Sequence, residues 1–154
     1  MKKRGYIFIL IGILILLSPL YFILKPKTCE TAGCFEAAAT ECKKAKILVD
    51  EAGKSVSEYT IKGEDDENCI LEIKVKKISS DYSQSTREKL EGKSMLCKIP
   101  SNEFSRMKFE KMGGNLEYCN GPLKEAMYDA VVKKLYSLVV KDMATVLDEI
   151  ERKL

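Results

Sequence analysis

The chain has 154 residues, 26 basic and 23 acidic side chains, no histidine and a formal net charge of +3 at pH 7. Five basic and no acidic residues lie in the first 27 positions, so the rest of the chain carries −2 (3 − 5 = −2) and gives no reason to expect nucleic-acid binding. The lack of histidine excludes Ser–His–Asp and Cys–His catalysis, histidine metal sites and imidazole pH switches.

A basic tip at residues 1–4 precedes 20 residues without a charge, Gly5 to Leu24. A helix of that length rises about 30 Å, which matches the hydrocarbon layer of a bilayer. We predict a transmembrane signal-anchor helix at residues 5–24, with the tip in the cytoplasm because basic residues favour that side. A cleaved signal peptide is the alternative, although no A-x-A-like site follows Leu24.

The remainder suits one small domain. Residues 25–33 are predicted to be a linker and residues 34–154 an extracytoplasmic domain, so the chain would be a single-pass cell-membrane protein. Its expected partners are the bilayer, through residues 5–24, and an unidentified protein or envelope component. Lipidation of Cys34 is not favoured, because this cysteine lies ten residues beyond Leu24 and follows Thr31 rather than a leucine-like residue at that position.

Six cysteines, all beyond the first 27 residues, predict a disulfide framework: Cys29, Cys34, Cys42, Cys69, Cys97 and Cys119. Three bridges allow about 15 pairings, among which sequence cannot choose. Cys34 and Cys42 are predicted to share a helix, about 12 Å apart along its axis, which is too far for a bridge. Our preferred set is Cys29–Cys34, Cys42–Cys69 and Cys97–Cys119. Zinc is the rival hypothesis, but no second close cysteine pair follows Cys29 and Cys34.

The predicted elements begin with a helix at residues 34–49, whose apolar residues fall at helical spacing. Strands follow at 55–63, 69–78 and 93–100. The second has the clearest period-two alternation, with Cys69, Leu71, Ile73 and Val75 on one side, which indicates a sheet with one buried face. Residues 79–94 are predicted to be a polar loop, and residues 101–112 a short helix capped by Ser101 or Asn102.

A long helix is predicted for the C-terminal part of the chain, with Pro122 in its first turn. Its apolar stripe is Tyr128, Val132, Leu135, Val139, Met143, Val146, Ile150 and Leu154. The steps average about 3.7 residues, which does not favour a left-handed coiled coil. The stripe either packs on the sheet or docks on a partner or a membrane surface. We predict an α+β fold with three to four antiparallel strands, one helix before them and the long helix packed on them.

Catalytic and metal-binding patterns are weak. Ser105–Lys108 matches S-x-x-K without the supporting motifs of that enzyme class, and a solvated helix face is the simpler interpretation. The acidic run 64–67 lacks the alternating order of a calcium loop. We therefore predict a non-enzymatic protein with no catalytic, metal-binding or cofactor-binding residue.

Two resemblances bear on function. The run Cys42…YTIKG…CILEI…GKSMLCKIP, over about residues 34–100, resembles small exported prokaryotic domains of unknown function. The N-terminal KKRG followed by YIFILIGILILL resembles the leader of type IV pilin-like proteins, which implies, as the alternative function, a subunit of a surface filament or secretion apparatus. Two features depart from that pattern: Leu10 stands where pilins usually carry glutamate, and Lys25–Lys27 interrupts the helix that pilins continue into their head.

Overall fold

The structure is a computed structural model that describes residues 25–152. Within its last helix, the side chains of residues 142, 144–149 and 151 are not described. The predicted basic tip and the predicted membrane anchor at residues 5–24 lie outside the described residues. Across residues 25–152, none of the helices combines the length and the apolar character that crossing a bilayer requires.

One sheet of six strands organises the described chain, and its strands lie side by side in chain order. β1 is parallel to β2, and every other neighbouring pair is antiparallel. The strands are β1 Lys27–Cys29, β2 Ala45–Asp50, β3 Ser55–Asp65, β4 Asn68–Ile78, β5 Ser94–Pro100 and β6 Cys119–Asn120.

In the part of the chain that the structure describes, four helices accompany the sheet: α1 Ala32–Ala39, α2 Gln84–Leu90, α3 Ser101–Phe104 and α4 Pro122–Glu151, with 3-10 turns at Phe109–Lys111 and Leu116–Tyr118. Side chains cap the first two helices at their N-termini, where backbone N–H groups lack intrahelical partners. Thr31 Oγ1 accepts from Cys34 N at 3.3 Å, and Ser83 Oγ accepts from Thr86 N at 3.2 Å.

The predicted fold class is wrong in the number and type of strands. The sheet has six strands and is mixed, rather than three to four and antiparallel. The strands predicted at 55–63, 69–78 and 93–100 are present, whereas β1, β2 and β6 were not predicted. Strand β1 also precedes α1, so within residues 25–152 no helix comes before the sheet. This strand lies within the predicted linker at residues 25–33.

The helix predicted at 34–49 ends early for a backbone reason. Helix α1 stops at Ala39, and Cys42 has φ +47°, a left-handed conformation that a right-handed helix cannot continue through. Residues Ala45–Asp50 then form β2, where Ile47 and Val49 suit an extended backbone. The apolar spacing of alanines and Cys42 had extended the prediction across this break. The helix predicted at 101–112 is likewise shorter, since α3 ends at Phe104.

The predicted packing of the long helix on the sheet holds for its first turns and is wrong for the described part of its apolar stripe. Leu123 and Ala126, in the first turns of α4, are buried, and Met127 packs against the core. Every residue from Tyr128 to Lys141 is exposed. The periodicity of the sequence predicted the apolar stripe of this helix, but it could not show whether the sheet covers that stripe.

The core lies on the face of the sheet that α1, α3 and the first turns of α4 cover. Its largest fully buried side chains are Phe35, Phe104, Ile61, Leu71, Ile99 and Met112. The Phe109 ring lies against Phe35 at 5.5 Å and Tyr59 at 5.1 Å between centroids, both in edge-to-face geometry. Glu36 Oε1 accepts from Phe109 N at 2.8 Å, which fixes α1 to this turn.

The preferred disulfide set is confirmed. Cys29 bonds to Cys34, Cys42 to Cys69 and Cys97 to Cys119, and no cysteine is free. The argument that excluded Cys34–Cys42 rested on a helix that is shorter than predicted. The domain is therefore disulfide-stabilised, with bridges that connect β1 to α1, the β2 approach to β4, and β5 to β6.

Replacing Gly121 by alanine should lower the free energy of unfolding by about 1–3 kcal/mol. Gly121 has φ +130°, and a Cβ there would lie 3.0 Å from Ser94 O and 3.1 Å from Met95 Cα. Urea denaturation would measure the loss. The control is Gly33→Ala, because Gly33 lies in α1 and a Cβ there meets nothing within 4 Å. Equal stability of the two variants would contradict the prediction.

Candidate functional site

Among the side chains that the structure describes, those in the first turns of helix α4 attach it to the domain. Lys124 Nζ donates to Cys119 O at 2.7 Å, and Asp129 Oδ2 lies 3.6 Å from Lys89 Nζ of α2. Asp129 Oδ2 also accepts from Lys133 Nζ at 2.8 Å, one helical turn away. These contacts orient the start of the helix and leave its later turns without a described contact to the sheet.

The exposed turns carry many apolar side chains, and those that the structure describes form what we call the α4 surface. Its members are Tyr128, Val131, Val132, Leu135, Tyr136, Leu138, Val139, Val140, Met143 and Ile150. Each is at least 47% exposed, and Tyr136 reaches 72%. Monomeric proteins rarely expose apolar patches of this extent.

The structure places the predicted interaction stripe on this surface. Tyr128, Val132, Leu135, Val139, Met143 and Ile150 are 47–62% exposed, while the side chain of Val146 lies outside the described set. The stripe missed two flanking rows: Val131 and Leu138 on one side, Tyr136 and Val140 on the other. Their helical angles would have revealed them, because together they widen the apolar arc to about 200°.

At 3.6 residues per turn Asp129 falls within one edge of this arc, between Tyr136 and Val140. The hydrogen bond from Lys133 lowers the pKa of Asp129, and the same bond raises the pKa of Lys133. Lys134 and Ser137 lie on the opposite side of the helix at 3.6 residues per turn. A partner that covers the whole α4 surface would therefore meet the Asp129–Lys133 ion pair at one edge of the contact, while Lys134 and Ser137 would stay outside it.

A cleft of about 520 Å³ is the second candidate site. It lies between the core face of the sheet, α2 and the first turns of α4. Its lining includes Tyr59, Ile73, Val75, Leu90, Met95, Gly113, Leu123 and Met127, with Glu51, Lys54 and Glu110 among its charged residues. A cleft of this size with a mostly apolar floor suits a small ligand.

Tyr59 brings a phenol hydroxyl to this cleft, and it was not among the predicted site residues. Burial, followed by the negative charge of Glu51, raises the pKa of its phenol, so the hydroxyl stays protonated and can donate a hydrogen bond. The alternation of strand β3 predicts the face of the sheet on which Tyr59 lies, but it does not predict the cleft. The cleft forms only when Gly113, from another part of the chain, approaches the sheet. A Cβ on Gly113 would lie 3.4 Å from Tyr59 Oη.

Stability should fall at alkaline pH partly through Tyr59. Because its folded pKa is raised, its contribution is fully present below the unfolded pKa, near 10, and is lost as pH rises through the folded pKa. We expect Tyr59→Phe to flatten the decline in the free energy of unfolding above pH 10. Denaturation at a series of pH values checks this, with exposed Tyr136→Phe as control. An identical pH profile for Tyr59→Phe and wild type would contradict it.

The weak catalytic and metal patterns do not converge into a site in the described residues. Ser105 Oγ donates to Asn102 O at 3.2 Å, and Lys108 is exposed. In the acidic run, Glu64 Oε1 accepts from Ser101 Oγ and Asp65 pairs with Lys98 at 2.8 Å. Within residues 25–152, no group of three or more acidic or cysteine side chains is placed to hold a metal ion.

The α4 surface is thus the larger feature, and the Tyr59 cleft the smaller one. The cleft forms where the first turns of α4 meet the sheet, and the α4 surface lies on the turns that follow. Comparison of the chain with protein-family models, with curated proteins and with solved structures finds no match in any of the three.

Proposed function

We propose that the chain is a membrane-anchored, extracytoplasmic domain that binds protein through the α4 surface, without enzymatic activity. The observation that carries the proposal is the exposed apolar surface of α4. Ten large side chains, at roughly 100 Å² each, give on the order of 1,000 Å², against about 300–600 Å² for the largest patch of a typical monomer. Such an area favours a function in protein association.

The disulfides support the extracytoplasmic part of the proposal. All six cysteines are paired in three bridges. Disulfides persist in oxidising compartments and are rare in cytosolic proteins, where thiols are kept reduced. A domain with this framework would fold and remain stable outside the cytoplasm.

The anchoring part rests on the sequence of residues 5–24 and on the point where the chain enters the sheet. Strand β1 begins at Lys27, close behind the uncharged segment that ends at Leu24. A domain tethered so closely would sit next to the bilayer. A strand at this position does not favour the pilin-like alternative, because that resemblance implies a helix that continues into the head.

The proposal is tested on the full chain in a host cell with a distinct envelope. We expect the chain to stay with membranes after an alkaline carbonate wash, and an impermeant protease added outside to degrade the domain. Thiol alkylation should label no cysteine before reduction and six after it. Recovery in the carbonate supernatant, protection from the protease or labelling before reduction would each overturn the corresponding part.

A further inference from the structure

We propose that the partner of the α4 surface is a second copy of this chain, and that the α4 helices associate in parallel. The inference deepens the proposed function, on which it rests, by naming the partner. It is drawn from the repeat of the helix, the area of its exposed surface and the direction in which it leaves the domain.

The apolar stripe of α4 has a regular repeat of about 11 residues, the period of a straight to slightly right-handed helical bundle. Tyr128, Val139 and Ile150 are spaced by this repeat, and so are Val132 and Met143. A second copy of the chain has the same period, so the side chains of two such helices can interdigitate along their length. A parallel copy in register supplies that period at every turn.

The exposed area fits a stable homomeric contact. The α4 surface offers on the order of 1,000 Å², and a standard interface buries about 800 Å² per partner. Its arc of about 200° is wider than the stripe that one neighbouring helix covers. Val131 and Leu138 on one side, with Tyr136 and Val140 on the other, would therefore remain available to a third copy beside the second.

The topology of the sheet directs the α4 surface away from the start of the chain. Lys27 pairs with Ala45, the first residue of β2, so the chain enters β1 from the end that carries the β3–β4 turn. Helix α4 starts beside Ser94, the first residue of β5, and passes α2 in the connection between β4 and β5 at the other end. A bilayer holding residues 5–24 would lie at the opposite end from the exposed turns.

This arrangement disfavours two other occupants, the membrane and the uncharged N-terminal segment. Chains anchored in one membrane would also project their α4 helices in the same direction. Parallel association then follows from the shared orientation of the anchors. The charged and polar residues Lys134 and Ser137 would remain at the outside of the bundle.

The test is the mass of the full chain in density-matched detergent, measured by sedimentation equilibrium. We expect wild type to reach at least twice the mass of one chain as its concentration rises. The double variant Leu135→Glu, Val139→Glu should sediment as a single chain, because it places charges in the centre of the contact. Circular dichroism and the count of disulfides should match wild type, since both positions are exposed.

The matched control is the double variant Lys134→Gln, Ser137→Glu, which makes the same change of −2 in net charge on the opposite side of α4. We expect this control to associate like wild type. A wild-type chain that stays monomeric, or a Leu135→Glu, Val139→Glu variant that still associates, would overturn the proposal. The mass does not depend on which side of a membrane the domain occupies, so failure here is distinguishable from failure of the proposed function.

The relative direction of the associated α4 helices is tested by placing a photo-reactive amino acid at Val132 in the full chain. Parallel association predicts cross-links to the first exposed turns of α4 in the second copy, near Tyr128 and Leu135. Cross-links near Ile150 would overturn the parallel arrangement, and a cross-link only to a different protein would overturn the second copy as the partner.

Discussion

Replacing Cys42 and Cys69 together by alanine should lower the free energy of unfolding by about 3.5 kcal/mol, as chain-entropy reasoning gives for a loop of this length. The bridge closes a separation of 27 residues and joins the approach to β2 with the central strand β4. Its removal enlarges the conformational freedom of the unfolded chain. Urea denaturation of the detergent-solubilised protein measures the change.

The double variant Cys29→Ala, Cys34→Ala is the matched control. Its bridge closes a separation of only 5 residues, so the expected loss is smaller, about 2 kcal/mol. A larger loss in the control than in the Cys42 and Cys69 variant would contradict the ranking by loop length. Removing both cysteines of each bridge avoids a free thiol that could form wrong pairs.

Replacing Phe35 by alanine should cost about 3–5 kcal/mol of stability, the range for truncating a buried aromatic residue. Phe35 is fully buried in α1 and its ring meets Phe109 edge-to-face at 5.5 Å. Truncation leaves a cavity between α1 and the turn at Phe109–Lys111, because the Cys29–Cys34 bridge and the Glu36 hydrogen bond hold both sides in place. Thermal and urea denaturation measure the loss.

Leu48→Ala provides the control for this truncation. Leu48 lies in β2 and is 61% exposed, so its shortening should change stability by no more than about 0.5 kcal/mol. Similar losses in the Phe35 and Leu48 variants would show that the core is not where the structure places it.

The strands that follow a strict alternation could be predicted from sequence, and those that depend on pairing could not. From Cys69 to Val75 every second residue is apolar, and Cys69, Leu71 and Ile73 are buried, so the pattern predicts both the strand and its buried face. Strand β1 has three residues and β6 has two, so neither shows a period of its own. Each exists because a neighbouring strand offers unpaired backbone groups, which are contributed by distant sequence.

The candidate site divides in the same way. The stripe from Tyr128 to Ile150 was visible as a helical period, because a period needs only the local chain. Whether the sheet covers it depends on how far α4 follows the sheet: Leu123 and Ala126 are buried, whereas residues 128–141 are exposed. The Tyr59 cleft joins strands, α2 and Gly113, and no local pattern joins such separated residues.

The shortness of the two outer strands has a consequence for the fate of the reduced protein. Strands β1 and β6 cap the lateral borders of the sheet, and the Cys29–Cys34 and Cys97–Cys119 bridges secure them there. If these two bridges were reduced, β1 and β6 could detach from the sheet. The backbone hydrogen-bonding groups of β2 and β5, which have six and seven residues, would then be exposed without partners. Open borders of that length template strand addition between molecules. The bridges would thus limit polymerisation by strand addition as well as stabilise the fold.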